Sequence, residues 1–301
     1  MDAIVISKFG GPEVLEARKV PKPVPGPEEV LIHVAAFGLN HAEMHMRKGE
    51  WDEWNPITGL ECVGVVESCP NGAIPAGTKV IGVMGGMGRT RPGSYGEFVA
   101  VPISNVVPIE TTLPWEDLAA IPEVYSAAYS FGQAALNLAA DAGAKVTATT
   151  RRQERRGMLE QMGAADVKLE RAELYRQLSG GFKFDKVLNL VGNSVLLESI
   201  ALVRTGGCML QAGWLGGLAP LKEFNPMIEM EPGIHFSLFH SKVLGSAEFP
   251  MSAVPLQEIV SKIQNGGWNA KPTHVFDHHD IKKAHEVLDS HEAGGKVVIR
   301  R

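Results

Sequence analysis

The segment IPEVYSAAYSFGQAALNLAADAGAKVTATTRR, residues 121–152, constrains the fold more than any other part of the chain. Its second half reads as a helix, a strand and two arginines, the closing half of a βαβ nucleotide-binding unit. Such a unit opens with a buried apolar strand and a glycine-rich turn, and the residues ahead of this helix supply neither. Residues 124–129 would have to stand in as the strand. That stretch follows Pro122, is rich in alanine and has a single β-branched residue, all of which weigh against it. A parallel sheet built on this chain is therefore expected to lack its first strand, which in such sheets lies in the middle.

On either side the patterning changes character. Residues 4–6, 29–34, 63–67, 79–83 and 95–101 are short β-branched runs, separated by turn clusters such as Gly10-Gly11-Pro12, Pro25-Gly26-Pro27 and Asn71-Gly72. This spacing predicts a small barrel or sandwich. From Trp115 onward, helices over 131–142, 153–162 and 194–203 alternate with strands over 145–150, 186–191 and 208–212, the pattern of a helix-covered parallel sheet. Helices over 255–265 and 280–290 and a strand over 296–299 close the chain.

A chain of 301 residues with 45% apolar residues has room for two cores. Net charge is −5, and Arg151, Arg152, Arg155 and Arg156 form the one short basic patch, so no nucleic-acid partner is expected. No apolar run approaches the roughly 20 residues of a membrane span and no charged leader precedes an apolar one, so no membrane partner and a cytoplasmic location are expected. Cys62, Cys69 and Cys208 form neither a CxxC pair nor a disulfide framework.

FGGPEVL (9–15), VLIHVAAFGLNHAEMHMRKG (30–49), PITGLECVGVVES (56–68), GSYGEFVAVP (93–102), LAAIPEVYSAAY (118–129) and the ending GGKVVIRR together resemble the zinc-independent quinone oxidoreductase, or zeta-crystallin-like, branch of the medium-chain dehydrogenase/reductases. The resemblance implies an α/β chain. Residues 1–119 are a GroES-like β-rich catalytic domain, 120–250 a shortened Rossmann-like doubly wound sheet, and 251–301 a segment returning to the catalytic domain. It also implies NADPH-dependent reduction of a small apolar carbonyl compound or quinone. A homodimer is implied, paired through the segment 235–245, which is apolar enough to be a liability as a free sheet edge.

Zinc relatives carry Cys where this chain has Asn40 and His where it has Leu60, and neither replacement can ligate zinc, so no metal is expected. His41 and His45 lie four residues apart, but Glu43 is not in the HExxH position. His278, His279, His285 and His291 read as a solvated tail. By resemblance Asn40 lies by the nicotinamide ribose and substrate, and His45 takes a position where relatives carry Tyr. His45 is either a proton or hydrogen-bond donor or a pocket-lining side chain. Tyr125 and Glu123 are placed near the cofactor, with packing an equal alternative for Tyr125.

For the cofactor, Ser130 with Phe131, Gly132 and Gln133 fits a capping box whose helix N-terminus would face a pyrophosphate. Thr150, Arg151 and Arg152 stand where Rossmann proteins read the ribose, and arginine there favours the 2′-phosphate of NADP. Asn189, Gly192 and Gly213 mark strand ends at the sheet's carboxyl edge. The missing glycine turn predicts weakened NADPH binding. Two function classes follow: an NADPH-dependent reductase of an activated alkene, enone or quinone, or a redox-neutral or inactive relative acting as a binding or structural protein.

Overall fold

In the computed structural model, which describes residues 1–130, 136–170, 174, 178, 183–213, 216, 219–291 and 293–301 and not the side chain of Ser130, the N-terminal β-branched runs form strands. β1 (Asp2–Ile6) pairs antiparallel with β2 (Leu15–Lys19). A larger sheet contains β3 (Glu29–Leu39), β4 (Glu61–Ser68), β5 (Lys79–Val83), β6 (Phe98–Pro102) and β7 (Val106–Pro108). β3 organises this sheet. One of its edges takes β4, and the other is divided between β6, paired with residues 29–33, and the chain's closing strand, paired with residues 36–39.

Helix α1 (His41–Lys48) follows β3 directly and ends at Gly49, whose φ of 75° is a left-handed conformation that glycine adopts without strain. α2 (Trp115–Leu118) and α3 (Pro122–Ser130) come next. Residues 124–129 are thus helix and not a replacement strand. Pro122 sits at the first helical position, where its missing N–H costs nothing, and the alanines favour the helix that follows. Ser130 closes α3, and Phe131, Gly132 and Gln133 of the expected capping box lie outside the described residues.

The chain divides into two compact units, Met1–Ser130 with Ser241–Arg301, and Phe131–His240. In the second unit, α4 (Leu136–Asp141) leads to β8 (Thr147–Thr150), which pairs in parallel with β9 (Asp166–Leu169) beyond α5 (Arg156–Gln161). A separate parallel ladder comprises β10 (Phe184–Asn189), β11 (Val203–Gln211) and β12 (His235–Leu238), with α6 (Leu196–Ala201) and α7 (Pro226–Glu229) between strands. In a sheet ordered 3-2-1-4-5-6, these ladders are strands 3-2 and 4-5-6. The break between them falls where the absent first strand belongs, and no described residue bridges it. Leu196, Ile200, Val203 and Met209 form the buried core under the three-stranded ladder.

The tail supplies α8 (Leu256–Gln264), β13 (His274–Asp277), α9 (Ile281–Asp289) and β14 (Val297–Arg300) to the first unit. β14 runs antiparallel to β3, and β13 lies outside β14. α9 buries Ile281, Ala284 and Leu288, one stripe of the helix, and His285 belongs to that stripe. His285 is therefore no part of a solvated tail. Its charged sequence neighbours conceal the helical spacing that places it on this stripe. Its Nε2 lies 2.7 Å from the Tyr95 hydroxyl, itself buried. Burial, with the nearby Arg47 guanidinium, pushes the imidazole down to about 3.

Because that value lies below the unfolded one of about 6.5, the unfolded chain takes up the proton first. The stabilisation is complete above that pH and drains as pH falls towards 3. Acidification from pH 6.5 to 4.5 is expected to cost on the order of 2–3 kcal/mol through this residue. Denaturant titrations of the His285→Gln variant should show a pH dependence shallower by that amount, and an unchanged slope would contradict the assignment.

Candidate active site

Sheet register brings the central groups together. Val297 opposes Leu39 across β14 and β3, so the next residues outward are Lys296 and Asn40. Lys296 Nζ donates to Asn40 Oδ1 at 2.6 Å. Glu61, the first residue of β4 on the opposite edge of β3, accepts at Oε1 from Lys296 Nζ at 2.5 Å and from Asn40 Nδ2 at 3.0 Å. Both long side chains cross Gly38. A Cβ on Gly38 would stand 2.3 Å from Lys296 Cε and 2.6 Å from Glu61 Oε1, so any larger residue would collide with the pair.

The other Glu61 oxygen accepts the backbone amide of Glu123 at 2.7 Å. Glu123 lies in the first turn of α3, where amides lack helical partners and the dipole favours an anion. On the remaining side stands Glu43, from the first turn of α1. It accepts from the backbone amide of Asn40 at 3.0 Å and from that of Leu60 at 3.2 Å, with Asn40 Nδ2 at 3.4 Å. The Asn40 amide is thereby held at both ends, its oxygen by an ammonium and its nitrogen by carboxylates.

Three carboxyl groups share one ammonium here. Glu43 and Glu61 are fully buried, and the Lys296 side chain is only 10% exposed. Burial pushes the Glu43 carboxyl up to about 7, against the pull of Lys296. Burial also raises Glu123. For Lys296, burial favours the neutral amine, but the Glu61 and Glu123 carboxylates outweigh it and hold the group charged. Among the described residues no group of three or more His, Cys, Asp and Glu side chains is arranged to take a metal ion.

Other candidate residues take separate places. His41 stacks on His291 with ring centroids 6.0 Å apart, and burial, with that neighbour, lowers it to about 4. His45 turns to Glu50 and Trp51 at the other end of α1. Tyr125 is buried and stacks on Trp268 at 5.9 Å. In the second unit, Thr150 ends β8 and its Oγ1 accepts the Arg152 amide at 3.2 Å, turning the chain so that Arg151 is exposed and Arg152 half-buried. Neither guanidinium has a carboxylate partner among the described residues. At the end of β10, Asn189 Oδ1 accepts the amides of Val191 and Gly192, and its Nδ2 donates to the Gly192 carbonyl. This fixes a tight turn through Gly192, whose φ is 101°. Gly213 closes against the Leu190 carbonyl, where a Cβ would stand at 2.3 Å.

Two family models match adjacent parts of the chain, the alcohol dehydrogenase GroES-like domain over residues 26–111 and the zinc-binding dehydrogenase over residues 131–256. Quinone oxidoreductase of Homo sapiens is 26% identical over 337 aligned residues, covering 99% of this chain and 97% of that protein. The chain belongs to the quinone oxidoreductase-like branch of the medium-chain dehydrogenase/reductases. The alignment is longer than the chain, so part of the human protein faces gaps. Escherichia coli quinone oxidoreductase, solved in complex with NADPH, superposes with a TM-score of 0.84 at 19% identity, with 100% of both chains covered. The CurK enoyl reductase gives 0.80 at 20% identity, covering 99% of this chain and 98% of that one.

For this quinone oxidoreductase-like chain, the residue that sequence reasoning missed is Lys296. It was visible only as the lysine before a closing strand, and nothing short of the β3–β14 register links it to Asn40. Gly38 offers the sharpest test of the arrangement. Gly38→Ala should destabilise the protein by roughly 1–3 kcal/mol, the range for overpacking a filled interior. Gly157→Ala, in α5 where an added Cβ meets nothing within 4 Å, should be neutral or stabilising. Equal effects at the two glycines in chemical denaturation would contradict the crossing.

Proposed function

We propose that this chain is an NADPH-dependent, zinc-independent reductase of a small activated alkene, enone or quinone. The observation that carries this reading is the pair of uncommitted guanidinium groups, Arg151 and Arg152, at the carboxyl end of β8, joined to likeness over nearly the whole chain with quinone oxidoreductases. Two cations there suit a 2′-phosphate, which a bidentate arginine grips well. The Asn189–Gly192 turn at the end of β10 would line the same carboxyl edge. NADPH, when bound, supplies a hydride equivalent to an electron-poor carbon or quinone ring.

The chain's own contribution is positioning and proton supply. Lys296 and Glu61 lock the Asn40 amide, so that residue presents one fixed face. The Lys296 ammonium supplies positive charge at a place where zinc relatives use a metal. His45 provides a candidate hydrogen-bond or proton donor.

The divided sheet favours a second reading, a relative with impaired cofactor binding that acts as a binding or structural protein. Loss of the glycine turn removes two or more amide contacts to a pyrophosphate, each worth roughly 1.5–3 kcal/mol, an affinity penalty on the order of 10²–10⁴. Homodimerisation also belongs to the proposal. β12 is an edge strand with all four residues exposed, Phe236 and Leu238 among them, and a monodisperse monomer in light scattering at micromolar concentration would remove it.

Nicotinamide fluorescence titrations separate the readings. NADPH should bind weakly, in the millimolar range, and still more tightly than NADH; the preference should vanish in an Arg151→Ala, Arg152→Ala variant, and chelator dialysis should change nothing. A low-micromolar NADPH constant would show that the pyrophosphate site is intact. Equal binding of the two nucleotides by the unaltered chain would end the arginine assignment.

A further inference from the structure

His45 lies near the end of α1, where the chain reverses at Gly49. The reversal is tightly specified. Gly49 has a φ of 75°, and a Cβ on it would stand 2.7 Å from the Phe9 ring, so both conformation and space call for glycine. The Glu50 amide then donates to the His45 carbonyl at 3.0 Å, which folds Glu50 back over the last turn of the helix. Its carboxylate reaches His45 Nδ1 at 2.5 Å. The Trp51 ring lies parallel to the imidazole, 3° between planes and 6.4 Å between centroids.

The imidazole is therefore held at one nitrogen and on one face. Its side chain is 13% exposed, and Nε2 has no hydrogen-bond partner among the described residues. The other charged side chains of the same helix turn elsewhere, Arg47 and Lys48 to Asp289 and Glu43 to Asn40 and Leu60. A carboxylate on Nδ1 keeps the proton of the neutral ring on that nitrogen and leaves Nε2 as the atom that gains and loses a proton.

We propose that Glu50 is a positioning residue which, by holding Nδ1, makes His45 Nε2 the proton donor to the carbonyl oxygen of the reduced substrate. This rests on the reductase reading above. In that reaction a quinone takes one hydride, carrying two electrons, from NADPH and one proton from the His45 imidazolium, giving the hydroquinone. The Nε2–H bond breaks and an O–H bond forms. Neutral His45 keeps its Nδ1–H on Glu50 and recovers the Nε2 proton from water.

Two measurements test it. In ¹⁵N NMR of imidazole-labelled protein, the His45 signals, assigned by their loss in His45→Gln, should be those of the Nδ1–H tautomer, and Glu50→Gln should redistribute the tautomers. With NADPH and 1,4-benzoquinone, Glu50→Gln should lower kcat roughly tenfold to a hundredfold with little change in KM, the usual effect of removing a carboxylate that orients a histidine. Glu50→Asp should restore part of the loss, and thermal melts of both variants should match the unaltered chain, since Glu50 is half-exposed. A dominant Nε2–H tautomer in the unaltered chain, or a kcat and tautomer balance indifferent to Glu50→Gln, would overturn the proposal. If the unaltered chain reduces no quinone, the reductase reading and the proton-donor role both fall, while the NMR result still decides whether Glu50 orients His45.

Discussion

One ammonium placed among three carboxyl groups, two of them fully buried, sets the terms for the rest of the first unit. Removing ions from water costs several kcal/mol each, and mutual attraction repays this only when geometry and additional hydrogen bonds are good. Here the geometry comes from backbone register. β14 must pair with β3 so that Lys296 falls beside Asn40, and β4 must begin with Glu61 on the other edge. Gly38 must leave the crossing clear, and the first turn of α3 must offer its amide to Glu61. A slip of one residue in β14 would turn Lys296 to the other face and leave buried carboxylates uncompensated. The C-terminal strand is thus tied to the N-terminal sheet by polar chemistry as well as by its apolar residues.

The second unit shows a different compromise. Its two parallel ladders, β8–β9 and β10–β11–β12, are what remains of a doubly wound sheet once the central strand is removed. The residues that might have replaced that strand are claimed by α3, which starts at Pro122 and anchors on Glu61 in the first unit. The same segment cannot serve both ends. The chain keeps the helix that completes the polar cluster and loses the strand that would carry a phosphate-binding turn. The candidate nucleotide-binding residues lie at the ends of β8 and β10, the two strands that in this order border the break.

Much of this architecture was legible from the sequence because strands and helices announce themselves by period. The strands at 147–150 and 184–189, the helices at 156–161, 196–201, 256–264 and 281–289 and the closing strand match expectation within a few residues, whereas α3 and β9 were not expected. What resisted reading was long-range pairing. Lys296 and Asn40 are 256 positions apart, and no local pattern joins them. His285 misled for a related reason, since a charged neighbourhood concealed its place on the buried stripe of α9. The His45–Glu50 pair was hidden differently: it depends on a left-handed glycine, whose effect on side-chain direction composition cannot convey.

Lys296, Glu61 and Asn40 form a closed hydrogen-bonded cluster, and beside it burial raises the Glu43 carboxyl to about 7. Carboxyl ¹³C NMR of glutamate-labelled protein, with Glu43 assigned by Glu43→Gln, measures this directly. The expected midpoint is about 7, displaced upward by burial, with a further rise when Lys296→Met removes the neighbouring ammonium. A Glu43 midpoint in the ordinary carboxylate range of about 4.3, unmoved by loss of Lys296, would contradict it.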